Sequence, residues 1–276
     1  MWFQAVLTKN IHHKPPLWRK PTGNLMKTFP PLTDASQIQR LGGHCGFDTL
    51  LAIQSSTPDA SLAVCRGDAI TCQIRLDRQS RTAASITGLI SQLIDDIETA
   101  GGRVDVIAVT DGPGSFTGLR IGVTTAKALA YALGCPTIAV DSLAAMAYPI
   151  WRSRDDAMVV TVAMNAYRGQ VFTASWTRDQ WDGATNVTGD FSSQSRVIDE
   201  KTFEDELSDR PPTHVLVCDP GITKYDADVR LSPLAEDVAH LACIIHRHGR
   251  VQTAMDLLPR YLRGSAAEEK LAAAKT

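Results

Sequence analysis

The stretch Asp111-Gly-Pro-Gly-Ser-Phe-Thr-Gly-Leu-Arg120, followed by Ile121-Gly-Val-Thr-Thr-Ala-Lys-Ala-Leu-Ala130, decides how this chain is read. An apolar run over residues 104–110 precedes it, and a helix-like run over residues 119–133 completes it. The order is strand, tight glycine turn, helix N-terminus. Such a turn lets another backbone come very close, and its N–H groups favour an anion. Gly112, Gly114 and Gly118, with Ser115, Thr117 and Arg120, therefore form one candidate contact for a nucleotide phosphate. The spacing G-x-G-x-x-x-G matches neither the phosphate loop with its Gly-Lys-Ser/Thr nor the dinucleotide fingerprint. Close packing within the chain explains the same glycines. Arg120 sits in the first turn of a helix, against the macrodipole, so an anion is expected beside it, either a ligand phosphate or a carboxylate.

Further along the helix, Gly118, Gly122, Ala126 and Ala130 recur every four residues. A stripe of small residues lets another element approach closely. It fits packing within the lobe, and it fits a helix of another subunit.

Outward from this stretch the chain organises itself. Residues 49–54 are a short apolar run, expected as a central strand. Residues 60–65 and 69–76 follow around the turn Arg66-Gly-Asp68, completing a meander of three strands. Ile86, Leu89, Ile90, Leu93, Ile94 and Ile97 fall at helical spacing, and Gly101-Gly102 ends that helix. After the glycine turn and its helix come a short strand over 137–140 and a helix over 143–148 capped by Asp141 or Ser142. A second cycle begins near Asp156: strands over 158–164 and 169–176, a polar loop with a weak strand over 179–195, a short helix over 202–207, a buried strand over 215–218 and a helix over 234–248. Strands and then strand–helix alternation, occurring twice, predict two related α/β lobes with mixed sheets, over residues 48–150 and 151–276. No repeat is visible in the sequence itself. Residues 1–47, rich in Pro and Gly and without sustained periodicity, read as a disordered or loosely packed extension.

Composition narrows the function classes. The 276 residues are 44% hydrophobic with a net charge of −2. Before Gly46 stand six basic residues and one acid, so the remainder carries 22 Lys and Arg against 29 Asp and Glu. That acidic body repels a phosphate backbone unless a partner supplies positive surface. No apolar run is long enough to cross a membrane. Six scattered cysteines without a C-x-x-C pair read as buried thiols of a reducing compartment, consistent with the cytoplasm. The seven histidines include no pair at metal-binding spacing, and Ser115 has no marked partner base, so neither a metal site nor a nucleophile is assigned. Gln54 closes the first strand where actin-like ATPases and sugar kinases usually carry an aspartate, which argues against metal-assisted phosphoryl transfer.

The run Gly112-Pro-Gly-Ser-Phe-Thr-Gly-Leu-Arg-Ile-Gly122 with Ala126-Lys-Ala-Leu-Ala130 resembles the TsaB family of tRNA threonylcarbamoyladenosine biosynthesis. Leu51-Ala-Ile-Gln-Ser-Ser-Thr57 is similar to the family's opening L-A-I-D-T-S-T, and Val140-Asp-Ser-Leu-Ala-Ala-Met-Ala147 to its V-S-S-L-E-A-L-A. Asn165-Ala-Tyr-Arg-Gly-Gln-Val-Phe172 is similar to D-A-R-R-G-E-V-Y, and Leu258-Pro-Arg-Tyr-Leu-Arg263 to the closing P-x-Y-L-R. The resemblance spans residues 48–270. It implies an actin-like (ASKHA, ribonuclease H-like) two-lobe fold without catalysis of its own. It also implies pairing with TsaD, the subunit that transfers the threonylcarbamoyl group to an adenosine beside the anticodon. TsaE, an ATPase, joins that complex, tRNA is met mainly through it, and ATP or ADP at the partner interface stays open.

By the same resemblance, docking falls to the helices over 81–100 and 118–133. Ile86, Leu89, Ile90, Leu119, Gly122, Val123, Ala126 and Ala130 are the expected contact residues. A homodimer through the same helices remains an alternative. So does a stand-alone enzyme of metalloprotease or kinase type, against which the histidine spacing and Gln54 argue. Gln54 and Asn165 stand where the family carries aspartates, and Gln79-Ser-Arg81 stands where a histidine is often found.

Overall fold

The computed structural model describes residues 47–76 and 83–264. The expected extension (apart from Phe47), Gln79-Ser-Arg81 and the end of the tail lie outside the described residues.

The first sheet holds β1 (Thr49–Gln54), β2 (Ser61–Arg66), β3 (Ala69–Arg75), β4 (Val106–Gly112) and β5 (Thr137–Asp141), in the order β3-β2-β1-β4-β5. β1 pairs antiparallel with β2 and parallel with β4. Its unbroken apolar run is what a strand covered on both faces requires. Alternate residues then point to opposite sides. Leu51 and Ile53 face an outer core with Ile107 and Val109, while Leu50 and Ala52 face a central core with Val106 and Ala108.

Helix α1 (Ala83–Thr99) closes the outer core with Ile86, Ile90, Leu93 and Ile97, and Gly101, at φ 76°, ends it. Helix α2 (Phe116–Leu133) packs on β4 and shares that outer core, capped by Ser115 and stopped by Gly134 in the left-handed conformation. Helix α3 (Ser142–Ser153), capped by Asp141, runs beyond the expected 143–148 and through Pro149. Proline costs one backbone bond there, and burial of Ile150 and Trp151 in the central core keeps the last turn in place.

The second sheet holds β6 (Val159–Tyr167), β7 (Gln170–Thr177), β8 (Arg196–Asp199), β9 (His214–Cys218) and the short β10 (Val229–Arg230), in the order β10-β9-β6-β7-β8. Pairings repeat those of the first sheet: two antiparallel steps on one side of the leading strand, two parallel on the other. The duplication predicted from alternation is thus a repeat of topology. The polar segment expected as loop and weak strand is instead helical: α4 (Arg178–Gly183), with a Thr177–Gln180 capping box, leads into a π-helical turn (Ala184–Thr188) and a 3-10 turn (Ser192–Gln194). Trp181, Ala184 and Phe191 anchor it in the central core, a signal too sparse to show periodicity. Helices α5 (Glu200–Leu207) and α6 (Ala235–Arg247) complete the fold.

The strands of the first sheet all precede residue 150 and those of the second all follow it, but the helices cross that border. α3 packs on β6, and α6, from the second half, packs on β1 and β2. The Ala235 amide donates to Ser61 Oγ at 2.9 Å. One central core therefore joins both sheets, and residues after α6 return to the first lobe, where Gln252 bridges Thr137 on edge strand β5.

Candidate functional site

The glycine turn is filled by the chain itself. The Ser115 amide donates to the Ser56 carbonyl at 2.7 Å, and the Ser115 hydroxyl accepts from the Gly118 amide at 3.3 Å. A Cβ on Gly114 would lie 2.3 Å from the Ser56 carbonyl oxygen, and one on Gly118 2.0 Å from that of Ser55. On Gly122 it would meet Ser55 Oγ at 2.1 Å. Gly112, at φ 139°, would place a Cβ 2.4 Å from the Arg260 carbonyl oxygen. Close approach of two backbones accounts for Gly112, Gly114 and Gly118, and the Ser55 side chain accounts for Gly122.

The stripe on α2 follows the same logic. Gly122, Val123, Ala126 and Ala130 are buried against their own sheet, as are Ile86 and Ile90 of α1; Leu119 is buried at the edge of the inter-lobe cleft, and Leu89 is half-buried. Packing within the lobe is what the small residues serve, because β1 and its turn already occupy their face.

The adjoining, outward flank of α2 is different. Arg120, Val123, Thr124, Lys127, Ala128 and Tyr131 line a groove of about 850 Å³ whose other wall is Met255, Leu257, Pro259 and Tyr261. Tyr131 is 77% exposed, Met255 71% and Leu258 66%. Lys127 Nζ donates to the Met255 carbonyl at 3.2 Å, tying the two walls together. The buried stripe drew attention in the sequence; Tyr131, one position beyond Ala130, was the available signal for this outer face.

Residues 257–263, which include the closing motif, run from that groove across the glycine turn to the second lobe. Leu257 is fully buried in the outer core. The Arg260 amide donates to the Asp111 carbonyl at 2.7 Å, and its Nη2 donates to the Gly112 carbonyl at 2.7 Å and to the Asp141 carboxylate. Arg260 Nε lies 3.5 Å from Asp111 Oδ2. Burial, with the Asp141 charge adding and Arg260 opposing, pushes the Asp111 carboxyl up to about 7. Tyr261 packs on Phe116 with ring centroids 4.6 Å apart, and its hydroxyl accepts from Arg120 Nε at 3.3 Å. The Arg120 guanidinium lies 4.0 Å from the Phe116 ring centroid. So the partners seen for this cation are an aromatic face and a hydroxyl, where an anion was expected; both relieve a charge held against the dipole. Arg263 donates to the Ala166 carbonyl and, at 3.2 Å, to that of Tyr167.

Between the glycine turn and the β6–β7 turn lies a cleft of about 320 Å³, lined among others by Ser115, Thr117, Asn165, Arg168 and Tyr261. Tyr167 and Arg168 hold φ of 60° and 55°, and the Asn165 side chain accepts from the Tyr167 amide at 2.6 Å, so Asn165 shapes this turn.

Gln54 is buried at the end of β1, where its Nε2 donates to Ser56 Oγ and Thr57 Oγ1, each at 3.1 Å. A neutral amide thus fixes the turn that fills the glycine loop. Among the described residues no group of three or more His, Cys, Asp or Glu could hold a metal ion, and no helix is long and apolar enough to cross a membrane. Cys65, Cys218 and Cys243 are buried, Cys72 and Cys135 half-buried. Burial pushes the Cys135 and Cys218 thiols up to about 11, which leaves them poor nucleophiles.

Two five-stranded mixed sheets of one topology, with helices shared between them, define an α/β protein of the actin-like two-lobe class. A protein from Pseudomonas aeruginosa described as similar to peptidase YeaZ has the same fold: TM-score 0.59 and 24% identity over 78% of this chain and all of that one. The profile of TsaD, tRNA N6-adenosine threonylcarbamoyltransferase, matches residues 79–270, and the chain belongs to that family. Its curated relatives include the tRNA threonylcarbamoyladenosine biosynthesis protein TsaB of Escherichia coli K12, 28% identical over 80% of this chain and 97% of that protein. TsaB of Haemophilus influenzae is 25% identical over 81% and 97%.

Proposed function

We propose that this chain works in tRNA threonylcarbamoyladenosine biosynthesis as a non-catalytic dimerization subunit. It pairs with a TsaD protein and supports transfer of the threonylcarbamoyl group to the adenosine next to the anticodon. The observation that carries the pairing is the outer groove on α2. Its exposed Tyr131 and Met255, with Leu258 nearby, form an apolar surface beside a helix, and such surfaces mark protein contacts. Kinship with TsaB proteins supports the choice of partner. Gln54 supports the passive role, since an amide cannot supply the charge a metal-bound phosphate needs. TsaE and tRNA meet this subunit within the complex.

Co-expression with the TsaD homologue of the same genome tests the reading. A stable heterodimer, and tRNA modification that requires both chains, is the expected result. Failure to pair, or metal-dependent protease or kinase turnover by the isolated chain, would refute it.

A further inference from the structure

Tyr261 belongs to two surfaces at once: it walls the outer groove and it lines the cleft between the lobes. It is held by two residues of α2, Arg120 on the groove side and Phe116 on the cleft side. Its chain neighbour Arg260 is fixed to Asp111, Gly112 and Asp141, and two residues on Arg263 grips the carbonyls of the β6–β7 turn. Leu257 anchors the near end in the outer core, and Leu262 packs on the central core. A short segment fixed at both ends, with little slack between, carries displacement from one end to the other.

We propose that residues 257–263 act as a transmitting strap, so that a partner seated in the outer groove sets the β6–β7 turn across the cleft. The inference rests on the docking reading above and adds its consequence. A ligand shifts a distant element only by binding its two arrangements unequally. A partner in contact with Tyr261 touches the strap itself, so its binding energy differs between a seated and an unseated strap. Seating the strap holds Arg263 on Ala166 and Tyr167, a turn whose two left-handed residues need outside support.

Hydrogen exchange on the full chain tests this in two arms. In the isolated protein, Arg263→Met and Tyr261→Ala should speed exchange of segment 164–172 about tenfold, the equivalent of one lost charge-assisted bond, with α1 unchanged. Should Tyr261→Ala not fold, Arg120→Gln, which cuts the same link from the groove side, takes its place. Unchanged exchange of 164–172 in the folded variants overturns the proposal. In the second arm the TsaD homologue is added. Wild type should gain protection at both 120–131 and 164–172, and Arg263→Met at 120–131 alone. Equal protection of 164–172 in both proteins overturns the linkage, as does a protected 120–131 beside an unprotected 164–172 in wild type. A wild-type chain that gains no protection at 120–131 fails the docking reading instead.

Discussion

Asp141 and Arg260 meet where the carboxyl ends of β4 and β5 lie side by side, and the pair joins three parts of the molecule. The Asp141 side chain, 1% exposed, receives the Arg260 guanidinium, the Ser195 hydroxyl at 2.5 Å and the Ala144 amide at 2.7 Å. The strap, the second lobe and helix α3 therefore converge on one carboxylate.

Removing Arg260 would leave that carboxylate buried without its countercharge. Arg260→Met should therefore destabilise the fold by about 3–5 kcal/mol, as for other broken buried pairs. Arg260→Lys keeps the charge and loses the second donor to Gly112, so its cost should be intermediate. Urea unfolding of the three proteins checks the order; equal midpoints would show that the pair contributes nothing.

The glycines separate by what their missing Cβ would strike. Gly118→Ala runs into the Ser55 backbone, which cannot move without β1, whereas Gly122→Ala meets the Ser55 hydroxyl. Each should cost about 1–3 kcal/mol as an overpacked site. Adding Ser55→Ala should recover much of the loss at Gly122 and none at Gly118, a coupling of about 1 kcal/mol or more for contacting residues. A double-mutant cycle by thermal or urea unfolding reads the difference. Recovery at both positions would mean the contacts are not the cause.

These glycines also show what the sequence could and could not reveal. Their spacing located the strand–turn–helix unit, because only a glycine permits such approach, but it did not say what approaches. Ser55, Ser56 and Arg260 are 56 to 148 residues away from Gly112 and its neighbours, and no local pattern links them. Periodicity placed α1 and the leading strands of both lobes, since one-sided or two-sided burial writes a period into the sequence. It missed β8, β10 and the helical segment from Arg178, where a few aromatic anchors replace a continuous face. The small-residue stripe is likewise a record of the tightest contact, and within this chain that contact is with its own sheet, one of the two readings the spacing allowed.

Asp237, in the first turn of α6, should give the fold an unusual pH response. Burial first, then Glu236, pushes its carboxyl up to about 7, against the pull of Arg152 and Arg75. A folded pKa above the unfolded value near 3.9 means the native state binds the proton more tightly. That contribution is complete below about pH 4 and is lost as pH rises through about 7. Asp237→Asn should therefore gain stability relative to wild type between pH 5 and 8, the difference growing with pH. Burial lowers the pKa of His214 and His240, which acts oppositely in acid in both proteins, so the difference between them isolates Asp237. Denaturation midpoints at four pH values decide it; a constant gap across the range would contradict the assignment.

The outer face of α2 and its buried stripe make opposite demands on substitution. Tyr131→Glu and Met255→Glu alter side chains already in water, so unfolding midpoints should move by no more than about 0.5 kcal/mol. If the groove seats a TsaD partner, the same changes bury a charge in an apolar contact and should weaken pairing at least about tenfold each. Ala126→Leu, on the buried side, should instead destabilise the isolated chain, and any loss of pairing should track the unfolded fraction. Titration calorimetry with the partner, run beside unfolding of each variant, separates the two faces. Pairing that survives both glutamates while the fold stays intact would move the interface away from this groove.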